Sequence, residues 1–272
     1  MPHKILKQLE DYMRVGKADL HIHSNFSDGK PSIDEILEYV QDKTDLDVIA
    51  ITDHDTIEGA VYAKEVHRRG DYRFDLIVGE EVSSIEGHII GLFLHHPIKP
   101  GLSAAETIDK IKEQGGLSIA VHPFYHTKLL NTKMVVMNGI GVKCIFQNHH
   151  HLDAIEIVNA TPTLADENLG AAIMNRAMLY RAETGSSDAH ILEAIGRAYT
   201  AFEGKTSEDL LKTIKERQSQ AIYAGWTFLS LLKYLWFFVP IGFRLLWFNL
   251  FRVHEQIEFP VTAEVLSDQQ NE

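Results

Sequence analysis

His21 and His23 stand two residues apart in Ala18-Asp19-Leu20-His21-Ile22-His23, and Asp28 follows in a Ser-Asp-Gly loop. Strand side chains alternate between faces, so residues i and i+2 point the same way. Both imidazoles can then grip one metal ion while Leu20 and Ile22 pack on the other side. A lone His-x-His is more often structural, but here the pattern of polar groups at strand ends recurs. The apolar run Val48-Ile49-Ala50-Ile51-Thr52 delivers Asp53, His54 and Asp55, and Phe74 to Val78 delivers Gly79, Glu80 and Glu81. His88 opens the run Ile89 to Leu94, and Leu117 to Val121 delivers His122-Pro123. Ala154 to Val158 delivers Asn159, and Glu183 to Ser187 delivers Asp188-Ala189-His190. Most of these groups sit at the carboxyl end of a predicted strand, where parallel α/β barrels assemble their active sites.

The donor types set the chemistry. Imidazoles and carboxylates without thiolates suit Zn, Mn or Fe. His21, His23, Asp28, His54, Glu80, His88, His122, Asp188 and His190 are nine candidate ligands. Nine exceed what one ion uses and suit two or three divalent ions, with a carboxylate such as Glu80 or Asp188 as a bridge. Such clusters activate a water and clamp the oxygens of an in-line phosphoryl displacement. Arg197, seven residues after His190, has the planar fork that holds a phosphate, a surface ion pair being the plain alternative. Asp53, beside His54, is expected to orient an imidazole; Asn159 is expected to do the same, to touch the substrate, or to serve as a structural amide. Glu81, Asp55 and Glu156 lie near the site by sequence but are not needed as ligands once nine are assigned.

Helical signals fall between the strands. Pro31-Ser32 precedes an apolar face of Ile33, Ile36, Leu37 and Val40; Thr56 to Arg69 reads as a second helix ending at Gly70. Ser103 to Glu106 resembles a capping box, and Gly115-Gly116 closes that helix. Thr163 to Ala182 and Ser207 to Gln218 complete an outer layer, and the alternation implies a parallel sheet. The interval from Phe124 to Leu152 lacks clear periodicity and suits a lid over the metals. Within it, His126 and Lys128 are candidates for phosphate contacts, and His149-His150-His151 reads as a polar lid or helix end.

Taken in order, Asp-x-His-x-His-Ser…Ser-Asp-Gly, Thr-Asp-His-Asp, Gly-Glu-Glu, His-Pro and Ser-Asp-Ala-His resemble the PHP (polymerase and histidinol phosphatase) superfamily. The likeness is greatest to its stand-alone metal-dependent phosphoesterases, those similar to RNase AM and to nucleotide 3',5'-bisphosphate phosphatases. It covers roughly residues 17–222. The resemblance implies an α/β fold, a distorted seven-stranded β/α barrel, with a trinuclear metal centre and phosphoester hydrolysis. The family pattern falls on the nine ligands named above, with Asp28 where relatives can have His. His95-His96-Pro97 mimics the His-Pro motif, but His122 alone follows a five-residue apolar strand.

A chain of 272 residues accommodates one barrel with an appendage. The expected division is a helical extension over 1–16, the phosphoesterase domain over 17–224, and a hydrophobic appendage with a polar tail over 225–272. The single cysteine excludes a disulfide framework, and residues 1–17 lack the long apolar core of a secretory signal, so a cytoplasmic location is expected. A net charge of −12 makes long nucleic acid an unlikely partner and suits a small phosphorylated substrate. Two other functions remain compatible: a 5'-3' exoribonuclease or oligonucleotide hydrolase, and a non-catalytic phospholigand-binding protein. The stretch 226–251 holds all three tryptophans but is interrupted by Lys233, Pro240 and Arg244. It reads as an anchor peripheral to a membrane surface, as an oligomer contact or barrel-capping core, or as a true span.

Overall fold

The computed structural model describes residues 15–124 and 138–251. Nine strands form one sheet: β1 (Val15–Asp19), β2 (Val48–Ile51), β3 (Asp75–Ser83), β4 (His88–Leu92), β5 (Leu117–Ala120), β6 (Ala154–Asn159), β7 (Ala182–Ser186), β8 (Ala198–Glu203) and β9 (Gln220–Tyr223). Their order is β7-β6-β5-β4-β3-β2-β1-β8-β9. The two ends approach each other, since Thr200 Oγ1 on β8 donates to Gly185 O and accepts from Gly185 N on β7. The result is a nearly closed, distorted barrel.

Two expectations change here. Among the described residues there are nine strands rather than seven, and the sheet is mixed rather than parallel. The pairs β3/β4, β4/β5, β1/β8 and β8/β9 are antiparallel. The four residues from Ser84 to Gly87 join β3 to β4, too few for a crossover, so the chain must fold back as a hairpin. Strands β8 and β9 lie beyond the last motif and carry no ligand-type signal.

Seven helices are described: α1 (Ile33–Lys43), α2 (Glu58–Arg69), α3 (Ala104–Glu113), α4 (Gly141–Asn148), α5 (Ala165–Met174), α6 (Ser207–Lys215) and α7 (Phe228–Phe251). Capping boxes start α1, α3 and α6: Ser32 with Glu35, Ser103 with Glu106, and Thr206 with Asp209. The helix expected over 163–182 is shorter. It ends at Met174, continues as a single wide turn over Asn175–Leu179, and gives way to β7 at Ala182. The interval expected as a lid contains α4, followed by His149 to His151, of which His150 and His151 are exposed and His149 is half-buried; His126 and Lys128 lie outside the described residues. So does most of the N-terminal extension, while Val15 and Gly16 already belong to β1.

Three clusters of buried side chains fill the molecule. One draws alternate residues from eight strands, including Ala18, Val48, Ile77, Ile90, Ile119, Ala154, Ala182 and Phe202, and so occupies the barrel interior; Leu210 and Ile214 of α6 join it. The other two lie outside the sheet, one under α1 and α2 and one under α3 and α4. This inside/outside alternation decides which polar groups reach the site.

Candidate metal centre

On β3, Ile77 belongs to the interior cluster, whereas Leu76, Val78 and Val82 pack outside. Period 2 therefore aims Glu81 inward and Glu80 outward. Glu81, not Glu80, lies at the heart of the cluster. Its Oε2 is 3.1 Å from His21 Nε2, 3.2 Å from His23 Nε2 and 3.3 Å from His54 Nδ1. Its Oε1 is 2.9 Å from His88 Nδ1 and 3.0 Å from His122 Nε2. Glu80 instead accepts from the Ile98 N–H at 2.8 Å, and burial pushes its carboxyl up to about 7.

The same alternation places the other donors. His88 shares its face with Ile90 and Leu92, and β4 runs antiparallel to β3, so the amino end of β4 meets the carboxyl end of β3. Asp188 Oδ1 lies 3.4 Å from His23 Nε2, 3.5 Å from His21 Nε2 and 3.7 Å from His190 Nδ1. Asp28 Oδ2 is 3.2 Å from His190 Nε2 and 3.7 Å from His54 Nε2. The loop bearing Asp28 folds tightly back: a Cβ on Gly29 would lie 2.5 Å from His23 O. His122 and Asp188 have φ of 29° and 53°, a left-handed backbone that re-aims a side chain at a strand end and costs energy in a non-glycine residue.

Four sets of donors have ligand atoms within 4.8 Å of one another: His23/Asp28/His54/His190, His21/His122/Asp188, His21/His23/Glu81 and His54/Glu81/His88. The residues fit divalent metal ions. His23 Nδ1 and Nε2, His88 Nδ1 and His122 Nδ1 are buried without a well-aligned hydrogen bond, although two of them lie close to Glu81, and a cation relieves that expensive state. Five imidazoles also crowd one carboxylate, whose two oxygens are shared among all of them.

Without the ions the electrostatics are strained. Burial pushes Glu81 up, but His54, His21 and His88 outweigh it and hold the carboxyl well below the usual range. Burial likewise opposes charge on His23, yet Asp188 and Glu81 overcome it and raise the ring to about 10. Burial wins at His54, which falls to about 4.

The surrounding groups differ from expectation in two places. Asp53 lies on the outward phase of its strand with Ile49 and Ile51 and orients no imidazole. Its carboxylate accepts from Ser24 N at 2.7 Å, Ser24 Oγ at 2.6 Å and Ser27 Oγ at 2.6 Å, which fastens the loop carrying Asp28. Among the described residues, Arg197 has no hydrogen bond or ion pair to any of the ligand residues. Its Nε donates to Glu193 O at 2.9 Å across the turn Leu192–Ala194. Asn159 does reach the centre, donating to Asp188 Oδ2 at 3.2 Å and Glu156 Oε2 at 3.0 Å.

Two further residues have parts the motifs alone do not show. Glu156 lies 3.2 Å from His21 Nδ1 and accepts from His122 N at 2.8 Å. Asp19 accepts from Ser187 N at 3.0 Å and Gly196 N at 2.8 Å, bracketing the segment that bears Asp188 and His190. Counting in twos from Ala154 finds Glu156 inside; nothing local in the sequence marks the partners of Asp19.

The family model described as PHP-associated matches residues 177–219, the segment from the turn before β7 through α6. The chain is 42% identical over 151 residues to the uncharacterized protein MJ1587 of Methanocaldococcus jannaschii, covering 51% of this chain and 85% of that one. Among solved structures, a two-domain protein of Bacteroides vulgatus containing a predicted PHP-like metal-dependent phosphoesterase superposes with a TM-score of 0.61 at 18% identity, over 77% of this chain and 65% of that one. The lesion-specific endonuclease PfuEndoQ of Pyrococcus furiosus superposes with a TM-score of 0.51 at 19% identity, over 74% of this chain and 56% of that one. At such identities these two likenesses bear on the fold.

Proposed function

The chain belongs to the PHP superfamily, and on that premise we propose that it is a metal-dependent phosphoesterase of small phosphorylated substrates, using two or three Mn, Zn or Fe ions. The observation that carries the reading is Glu81, buried among five imidazoles, four of whose ring nitrogens lack a well-aligned hydrogen bond. Bound divalent ions would supply positive charge for phosphate oxygens and acidify a water.

The chain's own residues do the rest. His21, His23, His54, Glu81, His88, His122, Asp188, His190 and Asp28 hold the ions. Glu81 belongs to two of the donor sets and would be the carboxylate shared between ions. Glu156 fixes the ring of His21, and Asn159 fixes Asp188, so the donors are oriented before metal arrives. Asp28, His54 and His190 are the more exposed members, with side chains 53%, 24% and 14% exposed. They mark the mouth through which a phosphoester enters.

The test is phosphate and product release by metal-loaded protein on a phosphomonoester, a phosphodiester, a nucleotide 3',5'-bisphosphate and a short RNA. Turnover is expected on at least one small ester and is expected to vanish in His54→Ala. Equal turnover in that variant with its metals retained would remove His54 from the site. Preference for the RNA would move the substrate class to oligonucleotides.

A further inference from the structure

Helix α7 presents a continuous apolar face to water. Phe228, Leu229, Leu232, Leu235, Trp236, Val239 and Phe243 are all exposed, Trp236 at 82% and Phe228 at 86%. At 100° per residue they fall within an arc of about 120°. The opposite face is already used: Tyr234, Phe237 and Phe238 pack on the cluster under α1, and Ser230 is buried. The exposed stripe is therefore surplus to the core, and it exceeds the scattered apolar residues of an ordinary surface.

The charge around it is segregated. The chain has 38 Asp and Glu, yet none lies between Glu216 and Glu255, where Arg217, Lys233, Arg244 and Arg252 occur. Lys233 is paired with Glu193, so the basic character rests on Arg217, Arg244 and Arg252. An apolar aromatic stripe in a segment with no carboxylate of its own complements an anionic bilayer surface, while the rest of the chain is repelled by it. No helix among the described residues is long and apolar enough to cross a membrane. The geometry favours lying on the surface.

The helix also borders the mouth of the metal cluster. The Phe238 ring meets the edge of His190 at 5.8 Å between centroids, and Lys233 pairs with Glu193 on the turn that follows His190. A helix is about 10 Å across, so its outer face and the mouth lie within one helix diameter.

We propose that α7 lies in the interfacial plane of an anionic lipid bilayer and holds the mouth at headgroup level, so that the phosphoester is drawn from a membrane amphiphile. The substrate part rests on the phosphoesterase reading; the docking part does not.

Flotation of the full chain with phosphatidylcholine/phosphatidylglycerol vesicles, with and without metal, tests it, alongside Trp236→Glu/Phe243→Glu. Wild type is expected to float with anionic vesicles in both metal states, and the double variant to bind about tenfold or more weakly. Both substituted side chains are exposed, so the variant keeps its fold and its turnover of a soluble phosphomonoester. Its turnover of a vesicle-borne phosphoester is expected to fall with binding. Three results would overturn the proposal: no flotation of wild type, flotation unaffected by the substitutions, or a wild-type dimer that the substitutions dissociate without any vesicle binding. The last would assign the stripe to a second copy of this chain. Flotation without turnover of any ester would leave the docking standing and reject the phosphoesterase.

Discussion

The two ends of the barrel handle buried charge in opposite ways. At the end closed by α6, carboxylates find conventional partners. Asp47 accepts from Lys17 N at 2.9 Å and Lys205 Nζ at 3.0 Å, and Asp75 accepts from Ser207 N at 2.7 Å and Ser207 Oγ at 3.0 Å. At the other end Glu81, Asp188 and Asp28 have imidazoles as their close neighbours, and four buried ring nitrogens lack a well-aligned hydrogen bond. The first end is complete as a polypeptide; the second is complete only with a ligand. One sheet thus carries a self-sufficient rim and a rim whose stability is lent by what it binds.

The sharpest way to break that contrast is to exchange inward for outward carboxylates. Glu81→Ala is expected to lower phosphoester turnover by about a thousandfold, in keeping with the several kcal/mol that a metal supplies to phosphoryl transfer, and to lower the bound metal count. Glu80→Gln should leave both within a few-fold. Equal losses would mean that the strand phase has been misassigned.

Chelation probes the incomplete rim directly. Removing ions present at about a hundred times their dissociation constant withdraws about 2.7 kcal/mol, or about 5–10 °C of melting temperature for a domain of this size. Calorimetry with and without chelator measures it, and no shift would contradict the unequal ends. The pH dependence has a definite sign. The raised value of His23, about 10, means that the metal-free ring is protonated at neutral pH and must release that proton on binding. Apparent affinity should climb as pH rises toward 10, about tenfold per unit for each proton displaced. In the metal-free protein, charged His23 contributes stability fully below its unfolded value near 6.5, and this is lost as pH passes through about 10. The chelated protein should therefore soften at high pH.

The complete rim should respond modestly. Asp75→Ala removes two hydrogen bonds at the start of α6 and is expected to cost about 1–2 kcal/mol in denaturant unfolding, with metal count unchanged. A separate pH effect belongs to Glu80. Its folded value, about 7, lies above the ordinary value of 4.5, so the unfolded chain gives up this proton first and wild type loses stability between about pH 4.5 and 7. Glu80→Gln should flatten that part of the stability profile, and an unchanged slope would place the titration elsewhere.

Much of the site was legible because ligand residues announce themselves by type. His21, His23, Asp28, His54, His88, His122, Asp188 and His190 all converge on one end of the barrel, as their places at strand ends suggest. Phase was harder. Gly-Glu-Glu offers two carboxylates, and only counting in twos from Ile77 separates them; the same count separates Asp53 from His54. Strand direction was illegible without the four-residue link from Ser84 to Gly87, which turns a supposed parallel sheet into a mixed one. For Arg197, chemical aptitude for phosphate says nothing about where a guanidinium points, and its Nε is engaged by Glu193 O. Asp19 acts on residues more than 160 positions away, and no local pattern can encode that.

Those distant bonds carry a kinetic consequence. Strand β1 sits between β2 and β8, and Asp19 is fastened by the N–H groups of Ser187 and Gly196. His21 and His23 therefore acquire their last neighbours only after residues 187–196 have been synthesised and closed against the first strand. Contacts of such sequence separation form slowly, because the loop entropy must be overcome before the contacts reward it. The donor sets containing Asp188 or His190 cannot assemble on a partial chain emerging from the ribosome. Any metal that needs those sets would be taken up late in biogenesis, once the barrel has closed.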